Sequence, residues 1–136
     1  MKKLILAFAV IGFITMAAAT KSTTPIDTKM VATEKYKACI DACEKCIASC
    51  KKVEGMCSKK KDEKMAKCID LCKACITECN AAIKLMKEDS KEAKSMCLTC
   101  AKTCEACAVE CDKHNTEHCK TCATDCRQAA KMCREM

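Results

Sequence analysis

Cysteines recur along the chain at intervals of three and four residues, and any fold must accommodate that spacing. Cys39, Cys43, Cys46 and Cys50 step by 4, 3, 4, and Cys68, Cys72, Cys75 and Cys79 repeat it. Cys97, Cys100, Cys104, Cys107 and Cys111 step by 3, 4, 3, 4. Cys119, Cys122 and Cys126 step by 3, 4, with Cys133 seven residues further on and Cys57 between the first two runs. At about 100° per residue, each run occupies a stripe roughly 80° wide on one face of a helix. A strand would scatter the same residues over both of its faces. The runs therefore belong to helices.

Composition leaves few other candidates for the core. Past residue 25 there are three Leu, six Ile, three Val and no Phe, so the eighteen cysteines are the side chains numerous enough to fill it. Two Gly and one Pro, Pro25, argue against a turn-rich β fold, while the abundant Ala, Lys, Glu and Met favour helix. The expected helices span about 28–54, 62–87, 90–113 and 117–134. Gly55 and Ser58 to Lys61 divide the first pair, with Asp62 as an N-cap. Glu88-Asp89-Ser90 divides the second pair, with Asp89 and Glu92 as a capping box. His114-Asn115-Thr116 divides the last, Asn115 taking a left-handed exit and Thr116 capping. Short connections between helices of similar length make antiparallel neighbours. The expected fold is all-α, an antiparallel up-down-up-down four-helix bundle with a cysteine-lined core over residues 29–136. Ile40, Ile47, Ile69, Ile76 and Ile83, spaced by sevens, form the seam beside the stripes.

Residues 1–19 read as a signal peptide: Lys2-Lys3, an apolar run from Leu4 to Met16, and Ala17-Ala18-Ala19 as a cleavage site. The run is short for a membrane span, so no stable anchor is expected. No twin arginine is present, which favours the general secretory route. Residues 20–28 form a polar linker, and the expected location is the periplasm or the exterior. The formal charge of +7 interleaves Lys with Glu and Asp, as on a solvated helix face. Arg127, Arg134 and Tyr36 are too few for a nucleic-acid surface.

The spacing also limits what the thiols can do. Helical neighbours three or four apart have Cβ atoms about 5–6 Å apart, too far for a disulfide, which wants about 3.8 Å. Two thiolates on one ion with bonds of about 2.3 Å sit about 4.5 Å apart if collinear with it. Such a link suits copper(I), which thiolate and thioether donors select on softness. Zinc wants closed sets of four, and continuous stripes do not divide that way. One monovalent cation per thiolate also neutralises the core, giving a capacity on the order of 10–18 ions per chain. Two other readings stay open: cross-helix disulfides in a structural or interaction protein, consistent with an oxidising export route, and a zinc, iron–sulfur or mixed thiolate buffer. A thiol oxidoreductase is disfavoured, because no CxxC lies beside a βαβ pattern, so no enzymatic activity is expected. All eighteen cysteines are candidate ligands. Met56, Met65, His114 and His118 join Cys57, Cys111 and Cys119 at one end of the antiparallel arrangement and are candidate ligands too. Met86, Met96 and Met132 gather with Cys133 at the other end.

The repeated Cys-x3-Cys-x2-Cys-x3-Cys pattern at Cys39–Cys50 and Cys68–Cys79, with the runs at Cys97–Cys111 and Cys119–Cys133, resembles the copper storage proteins over roughly residues 30–136. The resemblance implies a four-helix bundle whose inward cysteines bind many Cu(I) ions. It also implies an open Met/His-lined end through which copper passes, and self-association as a tetramer. A copper donor or acceptor protein would be the natural partner.

Overall fold

A computed structural model describes residues 28–59 and 62–136; the leader 1–19 and the linker up to residue 27 lie outside the described residues. Every regular element among the described residues is helical. Helix α1 spans Thr28–Lys35, α2 Lys37–Ser58, α3 Ala66–Lys87, α4 Ala93–Cys111 and α5 Glu117–Arg134, with a 3-10 turn at Glu63–Met65 before α3. The four long helices close a ring in which α2 packs on α3 and α5, and α4 packs on α3 and α5. This is the antiparallel bundle expected from the stripes.

Several boundaries differ from the sequence reading, each for a local reason. The first expected helix is bent at Tyr36, whose φ of −106° and ψ of 11° interrupt helical geometry. Tyr36 N–H still donates to the Ala32 carbonyl and Ile40 N–H to the Tyr36 carbonyl, so the axis turns without ending. Helix α1 then leans onto α3 as well as α2, burying Ala32. Gly55 does not end a helix: α2 continues through it to Ser58, since burial of Val53 and Cys57 outweighs its weak propensity. Asp62 does cap, accepting from Lys64 N–H, but the turn it opens is 3-10. Ser90, not Asp89, accepts from Glu92 N–H. Asp89 has a φ of 48° and is the only positive-φ non-glycine among the described residues, so the left-handed exit falls there and not at Asn115. Helix α4 accordingly runs from residue 93 to 111, shorter than the expected 90–113. Thr116 caps α5 as expected, its Oγ1 accepting from Cys119 N–H.

The core holds all eighteen cysteines, together with nine buried alanines among the described residues. Alanine shares the filling role that the sequence reading gave to cysteine alone, and its small side chain lets the backbones approach. Ile40, Ile47 and Ile83 are buried, while Ile69 and Ile76 pack half-buried against the same core. Exposed ion pairs tie α4 to α5: Arg134 makes a two-pronged contact with Glu105 at 2.9 and 2.7 Å, and Arg127 pairs with Asp112.

Candidate metal centre

The stripes point inward because each long helix turns its cysteine face to the bundle axis, so sulfur from four helices meets in one column. No disulfide joins the described cysteines. The shortest sulfur contacts run between helices: Cys79–Cys100 and Cys75–Cys104 at 3.3 Å, Cys46–Cys75 and Cys68–Cys111 at 3.4 Å. Contacts along one helix are longer, with Cys75–Cys79 at 4.0 Å and Cys100–Cys104 and Cys122–Cys126 at 3.8 Å. The sequence showed only the pairs along each helix. The closer cross-helix pairs depend on axial register, which spacing alone does not encode.

These contacts form a ladder. Cys46, Cys75, Cys79 and Cys104 make a group whose sulfurs all lie within 4.8 Å of one another. Cys46, Cys50, Cys75 and Cys126 make the next, then Cys50, Cys107, Cys122 and Cys126, then Cys72, Cys107, Cys111 and Cys122. Each group shares two sulfurs with its neighbour. Four-coordinate ions with private ligands could therefore fill at most two of these four groups at once. Ions that accept two or three sulfurs and tolerate bridging could use the whole ladder. Cys39, Cys43 and Cys133 form a three-sulfur group at the end of the core near Tyr36.

Hydrogen bonds among neighbouring thiols, with burial, set the protonation of the metal-free core. Cys119 is pushed up to about 11, mainly by desolvation. Cys97 reaches about 12: the Cys133 thiol favours its anion, but the Cys39 thiol and burial prevail. Cys126 is pushed well up by the thiols of Cys107, Cys122 and Cys46, with burial adding to them. Cys68 moves the other way, to about 4, because the Cys111 and Cys72 thiols hydrogen-bond its anion and His114 lies near. Cys46, Cys75, Cys100, Cys107 and Cys122 are likewise held down on balance by neighbouring thiols, so the metal-free core interleaves thiols that keep their protons with thiolate-prone ones.

The remaining candidate ligands are placed unequally. Met65 is buried, whereas Met56 is 42% exposed and faces away from the core. His114 and His118 are both half-buried. The His114 Nε2 atom is buried without a hydrogen-bond partner and lies 3.8 Å from Glu110 Oε1. Glu110 was missed in the sequence reading although it stands four residues before His114. Its buried carboxylate is held below the ordinary carboxylate range by Lys113 at 2.8 Å, with Lys67 at 3.6 Å assisting. At the opposite end Met86 is fully buried, and Met96 and Met132 are half-buried.

The sequence matches the copper storage protein family over residues 32–136. Among solved structures, the Cu(I)-bound copper storage protein BsCsp3 is 38% identical, with a TM-score of 0.71 over 77% of this chain and 97% of that one. The metal-free copper storage protein 3 from Bacillus subtilis is also 38% identical, with a TM-score of 0.68 over 73% of this chain and 95% of that one. The Nmul_A1745 protein from Nitrosospira multiformis is 28% identical, with a TM-score of 0.68 over 75% of this chain and 94% of that one. None of the curated proteins matches.

Proposed function

The chain belongs to the copper storage protein family, and we propose that it stores on the order of 10–18 Cu(I) ions on its core thiolates, for supply or for detoxification. The observation that carries this reading is the ladder of four-sulfur groups that share members. Shared sulfurs suit bridging thiolates on a monovalent soft ion. Each ion that enters releases a proton from a thiol, so the core stays near neutral as it fills. A similar fold holds Cu(I) in the Bacillus protein, which supports the same cargo here. Zinc would be limited to the few disjoint sets of four.

The His114 end supplies the route inward in this reading. Imidazole from His114 and His118 and the Met65 thioether are neutral donors, weaker toward Cu(I) than thiolate. An ion can pause there and pass to Cys68, Cys111 and Cys119. Glu110 stands beside this mouth, 3.8 Å from His114 Nε2, with its charge paired to Lys113 and Lys67. The remaining features of the reading are a cleaved leader, delivery to the periplasm or exterior, and assembly into a tetramer. Among the described residues no helix is long and apolar enough to cross a membrane. N-terminal sequencing of protein recovered outside the cytoplasm should begin at Thr20; recovery with Met1 retained would contradict export by cleavage.

Counting free thiols and bound copper on one purified sample separates storage from a disulfide-stapled structural role. Storage predicts that nearly all eighteen thiols are recovered once copper is stripped under nitrogen. Thiols missing in pairs, with no copper bound, would establish the stapled protein instead.

A further inference from the structure

Helices α2 and α5 pack together although no turn joins them, one being the first long helix and the other the last. The other neighbouring pairs are consecutive in the chain, so a short connection limits how far one helix slides past the next. The register of α2 on α5 has to be set by side chains. The sulfur column is a poor ruler for this purpose, because Cys39 recurs as Cys46 on α2, and Cys119 as Cys126 and Cys133 on α5, at steps of seven. In the observed register Cys46 Sγ meets Cys126 Sγ at 3.5 Å and Cys50 Sγ meets Cys122 Sγ at 3.6 Å. A slide of one heptad would bring Cys46 to Cys119 or to Cys133, sulfur against sulfur again. Repeated contacts of one small side chain distinguish these settings weakly.

Ser49 and Asp125 do distinguish them. Ser49 Oγ donates to Asp125 Oδ2 across the α2–α5 interface. Ser49 is only 9% exposed and Asp125 is half-buried. Each is the last residue before the second cysteine of a Cys-x3-Cys step, 46–50 and 122–126, so the bond lies beside the two sulfur contacts. After a slide of one heptad Asp125 would face Ala42 or Met56, whose side chains have no proton to donate. The carboxylate would then lose its partner, which disfavours the slipped setting. A single polar contact of this kind can fix register between helices packed through a repeating apolar stripe.

We infer that the Ser49–Asp125 hydrogen bond locks the register of α2 on α5, and that these two positioning residues decide which thiols of the first and last long helices meet. The group of Cys46, Cys50, Cys75 and Cys126 depends on that setting, and so does the group of Cys50, Cys107, Cys122 and Cys126, since each takes sulfur from both helices. The consequence for copper rests on the storage reading; the lock itself is a property of the metal-free bundle. Neither side chain is a ligand in this role. The pair acts through the cysteines one residue away.

Cross-linking the reduced, metal-free full chain reads the register directly. Diamide, at less than one equivalent per chain, takes two electrons and two protons from a pair of thiols and leaves them joined as a disulfide. The remaining thiols are alkylated and the tryptic peptides mapped by mass spectrometry. In the wild type the links between α2 and α5 should join peptide 46–51 to 121–127 and peptide 38–45 to 132–134. S49A should yield about fivefold more of the links from 46–51 to 114–120 or 132–134. The double variant S49A/D125A leaves no orphaned carboxylate, so it should stay helical and give the same shifted links. S49T keeps the hydroxyl and should keep the wild-type map. A wild-type map in S49A/D125A would overturn the lock. Loss of its helical circular dichroism would overturn it too, because the pair would then be needed for folding and not for choosing a register. The map is made without copper, so its outcome is separate from that of the storage reading, which fails if the wild-type chain binds about four Cu(I) or fewer.

Discussion

The Sγ atoms of Cys75 and Cys104, carried by neighbouring antiparallel helices, lie 3.3 Å apart. That distance is too long for a disulfide of about 2.05 Å. It is also too short for two sulfurs on one ion, which sit about 4 Å apart at trigonal geometry with bonds near 2.3 Å. The metal-free core is thus poised between two fates, and either requires a movement of about 1 Å.

A mild two-electron oxidant should convert metal-free protein to cross-helix disulfides, each pair of thiols giving up two protons and two electrons to the oxidant. Copper-loaded protein should keep nearly all its thiols, because each is already bonded to metal and held apart from its partner. Thiol counts after equal exposure decide the matter. Equal losses with and without copper would mean that the metal does not sit on these sulfurs.

Two substitutions should separate capacity from stability. Cys104 contacts Cys46, Cys75, Cys79 and Cys100, so Cys104→Ala should remove about one or two ions and cost about 1 kcal/mol through a small cavity. Thr116→Ala removes the α5 cap and should cost about 1 kcal/mol as well, yet leave capacity unchanged. Copper stoichiometry and chemical denaturation on both variants check this. A loss of copper from Thr116→Ala equal to that from Cys104→Ala would contradict the assignment of the ladder.

The pH dependence of the metal-free protein has a definite sign. Cys119 and Cys97 are pushed up to about 11 and about 12 in the fold. Their contribution to stability is complete below the ordinary thiol value near 9 and is lost as the pH rises toward their folded values. Cys68, held at about 4, acts oppositely, its contribution being lost as the pH falls from 9 toward 4. Thermal melts of reduced, metal-free protein should therefore fall in midpoint between about pH 9 and 12. Copper-loaded protein should lack that fall, since its thiols are already deprotonated. A flat profile for the metal-free protein would show that these thiols are hydrated.

At the other end of the core, replacing His114 and His118 together with Ala should slow copper uptake or release while reducing capacity by no more than about two ions, one per lost imidazole. Stopped-flow loading with a coloured Cu(I) complex gives the rate, and the plateau gives the capacity. Unchanged kinetics and capacity would remove both histidines from the copper route.

The stripes made the four long helices, their antiparallel order and the sulfur column legible in the sequence, because a 3,4 spacing permits only one helix face. Thr116 was legible for a similar reason: a capping side chain acts on its own chain three residues away. What escaped depended on other helices. Gly55 stays helical because Val53 and Cys57 are buried beside it, and the bend at Tyr36 is anchored by Asp89, more than fifty residues away. Met56 and Met65 looked equivalent by position, but only Met65 turns into the core. The overlap of sulfur groups, the feature that most favours bridging ions, follows from the axial register of four helices and has no trace in the spacing within one.

Anaerobic titration of the reduced protein with Cu(I), against a chelator of known affinity, decides whether the core thiols bridge many ions. Bridging use of the ladder should give saturation at about ten or more Cu(I) per chain, with zinc occupying far fewer sites in a parallel titration. Saturation at about four Cu(I) or fewer, or equal numbers of zinc and copper, would contradict it.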